Sequence, residues 1–150
     1  MKSFMERALA NAKKAYDLGE VPIGAVIIKD GKILSSGYNK REQSKNAINH
    51  AEIIAITKAC KKIGDWRLDG CEIYVTLEPC PMCAGAILNS RIKKVFYAAK
   101  DKTSDDNLFQ TIVKSQRLNH NCEFEQLSEY EKTSAELLSK FFKSKRKNTN

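Results

Sequence analysis

His50 and Glu52, in the stretch NHAEIIA, and Cys80 and Cys83, in EPCPMC, are the residues whose types and spacing can do chemistry. Cys80 and Cys83 are three positions apart, and Pro81 between them suits the first turn of a helix, so both sulfurs can point to one side of that turn. Exposed N–H groups and the positive end of the helix dipole lower thiol pKa values there, which favours the thiolate that ligates metal. His50, at the start of another expected helix, can add an imidazole nitrogen. Two sulfurs and one nitrogen are a set that zinc accepts in tetrahedral geometry. A fourth position is then left for water, whose pKa a three-ligand zinc lowers from about 15.7 to about 7. Glu52, two residues beyond His50, can stand beside such a site without replacing a ligand and carry a proton between water and substrate.

Taken singly, these residues allow plainer readings. A CxxC pair is shared by redox motifs and by closed structural zinc sites. The redox reading needs a thioredoxin-like βαβ setting, whereas this pair follows the third expected strand. A closed site needs a fourth ligand from Cys60, Cys71, Cys122 or His120. Cys60 falls about two and a half helical turns beyond His50 and Cys71 opens a strand, so both read as buried small hydrophobes. Cys122 and His120 stay unplaced. Alone, His50 would be a core histidine and Glu52 a capping carboxylate; the joint pattern HxE with PCxxC is far rarer than its parts.

The elements that must position these residues follow a clear rhythm. Phe4, Ala8, Ala12 and Ala15 recur at helical spacing over Phe4 to Asp17, ended by Gly19. VPIGAVIIKDGKILSSGYN reads as two antiparallel strands joined at Asp30-Gly31. Arg41 to Ala47 is polar and without period, hence a loop. From Asn49 a buried helix carrying Ile53, Ile54, Ile56 and Ala59 runs to Gly64. CEIYVTLEP alternates as a strand closed by Pro79, and a helix starts at Pro81. KKVFYAA is a fourth strand, Leu108 to Val113 a short helix, Cys122 to Leu127 a fifth strand, and Glu129 to Lys147 a closing helix. The pattern predicts a three-layer α/β fold of αβα type, a central mixed five-stranded sheet flanked by helices. It shows no repeat, linker or second domain, so residues 1–150 read as one domain with a basic C-terminal helix over about 129–147.

Composition narrows the class. The 150 residues carry 42% hydrophobic content and no run of about 18 uninterrupted apolar residues, so a globular domain is expected and a membrane span is not. The N-terminal stretch mixes charges into its apolar positions, unlike a secretory signal, and the expected location is the cytoplasm. Five irregularly spaced cysteines argue for reduced thiols or metal ligands rather than a disulfide framework. A formal charge of +8 favours a polyanionic partner, although solubility alone also accounts for it.

H-x-E…P-C-x-x-C is the signature of the zinc nucleobase deaminases. Within that superfamily EVPIGAVI, NHAEIIAI, DWRL, YVTLEPCPMCAGAI and SRIKKVFYAAKD resemble the bacterial tRNA-specific adenosine deaminases, closely over Met5 to Asp101 and again at Leu118 to His120 and ELLSKFFKSKRK. The resemblance implies a cytidine deaminase-like fold, one zinc ion per subunit held by His50, Cys80 and Cys83, and Glu52 as general acid/base. It implies conversion of adenosine to inosine at the wobble position of a tRNA anticodon loop, that of an arginine tRNA with ACG, by a homodimer. Asn39 matches a family asparagine that hydrogen-bonds the substrate nucleoside, and otherwise reads as a turn residue. Asp101 matches an aspartate beside a flanking ribose, and otherwise reads as a cap. FFKSKRK offers aromatic faces beside cations, so Phe142, Lys143, Lys145 and Arg146 are expected at the RNA, with one phenylalanine inside and one at the rim. KTSDDNLF, Lys102 to Phe109, departs from a commonly glycine-rich family stretch. That departure keeps a guanine, cytosine or nucleoside deaminase open as the alternative, and a non-catalytic zinc-stabilised RNA-binding module as a second.

Overall fold

The computed structural model describes residues 2–102, 108–115 and 122–147. Leu118 to His120, and residues 103–107 of the departing stretch, lie outside the described residues. Helix α1 spans Lys2–Asp17 and buries Met5, Ala8, Ala12 and Ala15 along one stripe. Strands β1 (Gly24–Lys29) and β2 (Lys32–Tyr38) form the expected antiparallel hairpin. Asp30 and Gly31 between them have φ of 51° and 74°, the paired positive values that a two-residue turn of matching twist requires. The chain continues through α2 (Arg41–Ser44), α3 (Ala51–Ile63), β3 (Glu72–Leu77), α4 (Pro81–Asn89), β4 (Lys94–Ala99), α5 (Leu108–Val113), β5 (Glu123–Gln126) and α6 (Glu131–Lys147). A 3₁₀ turn over Ser128–Tyr130 leads into α6, which therefore starts two residues after Glu129.

The strands lie in the order β2-β1-β3-β4-β5. β1 is antiparallel to both β2 and β3, whereas β3, β4 and β5 run parallel. Parallel neighbours cannot be joined by tight turns, so α4 crosses from β3 to β4 and the segment containing α5 leads from β4 to β5. On one face Ile27, Ile73, Val75, Val95 and Tyr97 pack with alanines of α3 and with Ile87 and Leu88 of α4. On the other, Val26, Ile28, Tyr74 and Phe96 meet Met5 and Ala8 of α1. The Ser134 hydroxyl of α6 donates to the Thr76 carbonyl of β3 at 2.6 Å and ties α6 to this second face. The result is the expected αβα arrangement around a mixed sheet. β3 is buried on both sides, Tyr74 and Thr76 as fully as Ile73 and Val75, although its sequence alternates as if one face met water.

Two glycines set how closely the helices approach. A Cβ at Gly24 would collide with the Ala8 carbonyl oxygen and stand 2.6 Å from the Ala12 nitrogen, and one at Gly37 would stand 2.6 Å from the Ala51 carbonyl oxygen. This close approach explains a departure from expectation in α3. Ala51, Glu52, Ala55 and Ala59 face inward, while Ile53, Ile54 and Ile56 are only half-buried; where Ala51 and Ala55 press on Gly37 of β2 there is room only for methyl-sized side chains. Arg41 to Ala47, expected to be a loop, contains the short α2. Among the described residues, no helix is long and apolar enough to cross a membrane.

Candidate active site

His50 and Cys80 occupy equivalent places in two helices. Each is the residue just before the first turn, His50 of α3 at φ −73° and ψ 159°, Cys80 of α4 at φ −69° and ψ 168°. Neither side chain caps its own helix, so both are turned to another use. Their carbonyls already accept the first helical hydrogen bonds, from Ile54 at 3.0 Å and Ala84 at 2.8 Å. Pro81 at the first helical position costs no hydrogen bond there and brings buried Cys83 round to the side of Cys80.

His50 Nδ1 stands 3.6 Å from the sulfur of Cys80 and 3.6 Å from that of Cys83. All three ligand atoms lie within 4.8 Å of one another. Zinc bonds of about 2.3 Å to sulfur and about 2.0–2.1 Å to nitrogen place S and N about 3.6 Å apart at a tetrahedral angle, so the spacing and donor chemistry fit that ion. Among the described residues no fourth His, Cys, Asp or Glu joins the group. Cys71 and Cys122 are buried and Cys60 is half-buried, and their sulfurs face the carbonyls of Asp69, Glu123 and Trp66. His120 lies outside the described residues.

The electrostatics of the cluster favour one thiolate. The Cys80 thiol is pulled down to about 4, chiefly by a hydrogen bond from Cys83 and, against its partial burial, by the His50 ring. Cys83 is pushed up because it donates to Cys80 and is buried, and His50 is raised by its hydrogen bond to Cys80. A metal cation would replace the shared protons and release them on binding. Glu52 is 4% exposed, and burial pushes its carboxyl up to about 7. It lies against Cys83 without belonging to the ligand group. A buried carboxyl poised near neutrality suits a group that must both take and give a proton.

Beside the cluster lies a cavity of about 150 Å³ lined by Val21, Ile23, Asn39, Arg41, His50 and Ala51. Drug-sized ligands fill about 300–1,000 Å³, so this space fits a single ring system. Asn39 is buried and held at both ends, its amide nitrogen donating to the Val21 carbonyl at 3.3 Å and its oxygen accepting from the Arg41 N–H at 3.2 Å. Val21 also borders a second groove of about 440 Å³ that includes Asp101 and Phe142. The parallel β3–β4 pair puts Asp101 there: both segments leave the sheet at the same edge, and the Asp101 N–H donates to Glu78 Oε1 at 3.3 Å. Phe141 is 6% exposed and stacks edgewise on Tyr16, whereas Phe142 is 46% exposed at the groove. Lys143, Lys145 and Arg146 follow on the exposed part of α6. Sequence reasoning missed Arg41 and its neighbour Glu20, whose roles depend on contacts between distant segments.

An αβα domain that brings one imidazole and two thiols together at converging helix starts, with a buried carboxyl alongside, has the architecture of a hydrolytic deaminase. Comparison with known proteins agrees: the MafB19-like deaminase family matches residues 1–146, and the chain belongs to that family. It is 43% identical over 145 residues to the tRNA-specific adenosine deaminase of Bacillus subtilis strain 168, covering 96% of this chain and 89% of that one. A solved tRNA:A34 deaminase of A-to-I editing at the wobble position superposes with a TM-score of 0.83 at 37% identity, over 92% of this chain and 100% of the other. Guanine deaminase from Bacillus subtilis superposes with a TM-score of 0.66 at 39% identity, over 85% of each chain.

Proposed function

We propose that this chain is a zinc-dependent deaminase that converts adenosine to inosine at the wobble position of a tRNA anticodon loop, with an arginine tRNA carrying ACG as its substrate. The observation that carries the reading is the buried Glu52 carboxyl lying beside, but outside, the His50, Cys80 and Cys83 group. Those three residues would hold one zinc ion per chain, which when bound supplies Lewis-acid activation of the attacking water. Glu52 takes a proton from that water and delivers it to N1 of adenine as oxygen adds at C6. It then takes the remaining proton from the new C6 hydroxyl and passes it to the departing amine, the C6–N6 bond breaks, ammonia leaves and the oxygen remains as the carbonyl of inosine. Asn39, pinned by Val21 and Arg41, keeps one amide hydrogen and carbonyl capacity for the nucleoside.

The second groove supports a substrate larger than a free base. Asp101 offers an acceptor for a ribose 2′-hydroxyl, Phe142 a stacking face, and Lys143, Lys145 and Arg146 phosphate contacts. In this reading residues 1–150 act as one catalytic domain ending in a basic helix. The half-exposed Ile53 and Ile54 of α3 support a homodimer, and five free cysteines support a cytoplasmic location. The likeness to a guanine deaminase favours small-molecule deamination as the second reading. A non-catalytic zinc-stabilised RNA-binding module has no use for the buried Glu52. Incubating the pure protein separately with an ACG anticodon stem-loop, adenosine, guanine and cytosine decides among them. Inosine in the stem-loop at far lower substrate concentration than in free adenosine supports the tRNA reading, and xanthine from guanine or uracil from cytosine supports the alternative.

A further inference from the structure

Glu20 is 1% exposed, sits in the turn between α1 and β1, and makes no ion pair among the described residues. Its two carboxylate oxygens accept from the backbone N–H groups of Glu42 at 3.0 Å and Gln43 at 2.6 Å, the first turn of α2. Lys40, just before that helix, makes no side-chain cap, and Asn39 Oδ1 takes only its first amide, that of Arg41. Only four residues long, it cannot persist on intrinsic propensity. A buried carboxylate 22 positions earlier in the chain therefore satisfies the amides that would otherwise be orphaned. The next residue after Glu20, Val21, receives the Asn39 amide, and Asn39 in turn receives the Arg41 N–H. Arg41 lines the small cavity and lies close enough to His50 for its charge to oppose protonation of that ring. On the far side of α2, Asn49 beside His50 donates to Ser44 at 2.8 Å, and its carbonyl accepts from Lys40 at 3.1 Å.

We propose that Glu20 is a positioning residue for the substrate pocket: by capping α2 from outside, it holds the Arg41 guanidinium at the cavity mouth, where that cation binds the phosphate adjoining the target nucleoside. The proposal rests on the RNA deaminase reading for its substrate, but its structural half does not. It places Glu20 in substrate affinity and leaves the metal group and Glu52 to the chemical step.

The test combines amide hydrogen exchange with steady-state kinetics on an ACG anticodon stem-loop. In the wild type, the amides of Glu42 and Gln43 exchange slowly, and Glu20→Gln, which puts an NH2 group where one acceptor stood, releases them while the sheet amides stay protected. The same variant raises KM for the stem-loop about tenfold, the scale of removing one charged hydrogen bond, with kcat within about twofold and zinc content unchanged. Arg41→Ala raises KM similarly. Because Glu20 acts through Arg41, the double variant is no more than about threefold worse than the worse single one, whereas independent effects would multiply to about a hundredfold. Multiplication, or a loss confined to kcat, overturns the proposal. If Glu20→Gln does not fold, fast exchange at Glu42 and Gln43 in the wild type, or an unchanged KM in Arg41→Ala, overturns it without that variant. The exchange measurement uses no substrate, so its failure counts against Glu20 alone, whereas absent turnover of RNA by the wild type counts against the substrate reading.

Discussion

His50 Nδ1 stands 3.6 Å from both Cys80 and Cys83, residues 30 and 33 positions away, because α3 and α4 each begin at the same edge of the sheet. Two sulfurs already at a zinc ligand's distance from one nitrogen need little rearrangement to accept the ion. Cys83→Ala removes one of the three proposed ligands, and metal analysis of the purified variant will show well below one zinc per chain, with activity reduced in proportion. Full zinc occupancy in that variant would remove Cys83 from the ligand set.

Phe141 and Phe142 are neighbours with opposite duties. Phe141 packs on Tyr16, so Phe141→Ala destabilises the fold by about 3–5 kcal/mol, measured as a drop in the denaturation midpoint. Phe142 is half-exposed at the groove, and in the proposed RNA-binding role it would contribute base stacking of about 1–3 kcal/mol. Phe142→Ala accordingly weakens binding of an anticodon stem-loop in fluorescence anisotropy while leaving the midpoint near that of the wild type. Equal losses of stability in the two variants would contradict this division.

The exposed cations of α6 predict a salt signature. Affinity for the stem-loop falls with added salt, and replacing Lys143 and Lys145 by glutamine flattens the log–log slope by about 0.7 for each phosphate of single-stranded RNA that is no longer neutralised. An unchanged slope would place the phosphates elsewhere.

Two glycines predict stability changes of opposite sign. Gly24→Ala forces a methyl group onto the Ala8 carbonyl and the Ala12 nitrogen, backbone atoms that cannot swing aside, and costs more than about 3 kcal/mol. Gly85 lies within α4 with nothing near its missing Cβ, so Gly85→Ala stabilises by about 0.5–1 kcal/mol. Thermal unfolding of the two variants checks both signs.

What could be read from the sequence was what local chemistry controls. The Asp30-Gly31 hairpin, the Gly64 stop and the Pro81 start each need only their own neighbours, and each falls where the residues indicate. The convergence of His50, Cys80 and Cys83 was legible because residue types that can ligate metal are few and their spacing is rigid. α2 was not, since its cap comes from Glu20 and no local signal announces it. The inward alanines and half-exposed isoleucines of α3 were equally hidden, because the distance between α3 and β2 is set by Gly37 on another element. Asn39 and Arg41 share one cavity through the same long-range contacts, and Arg41 looked like a loop residue.

In the proposed chemistry Glu52 moves protons beside a metal that it does not bind. Glu52→Gln keeps the shape of the side chain, and the decisive measurement pairs its zinc content with its single-turnover deamination of an ACG stem-loop. About one zinc per chain is expected, together with a rate reduced about 10²–10⁴-fold, the range for losing a general acid/base. A variant that deaminates at the wild-type rate with its zinc in place would contradict it.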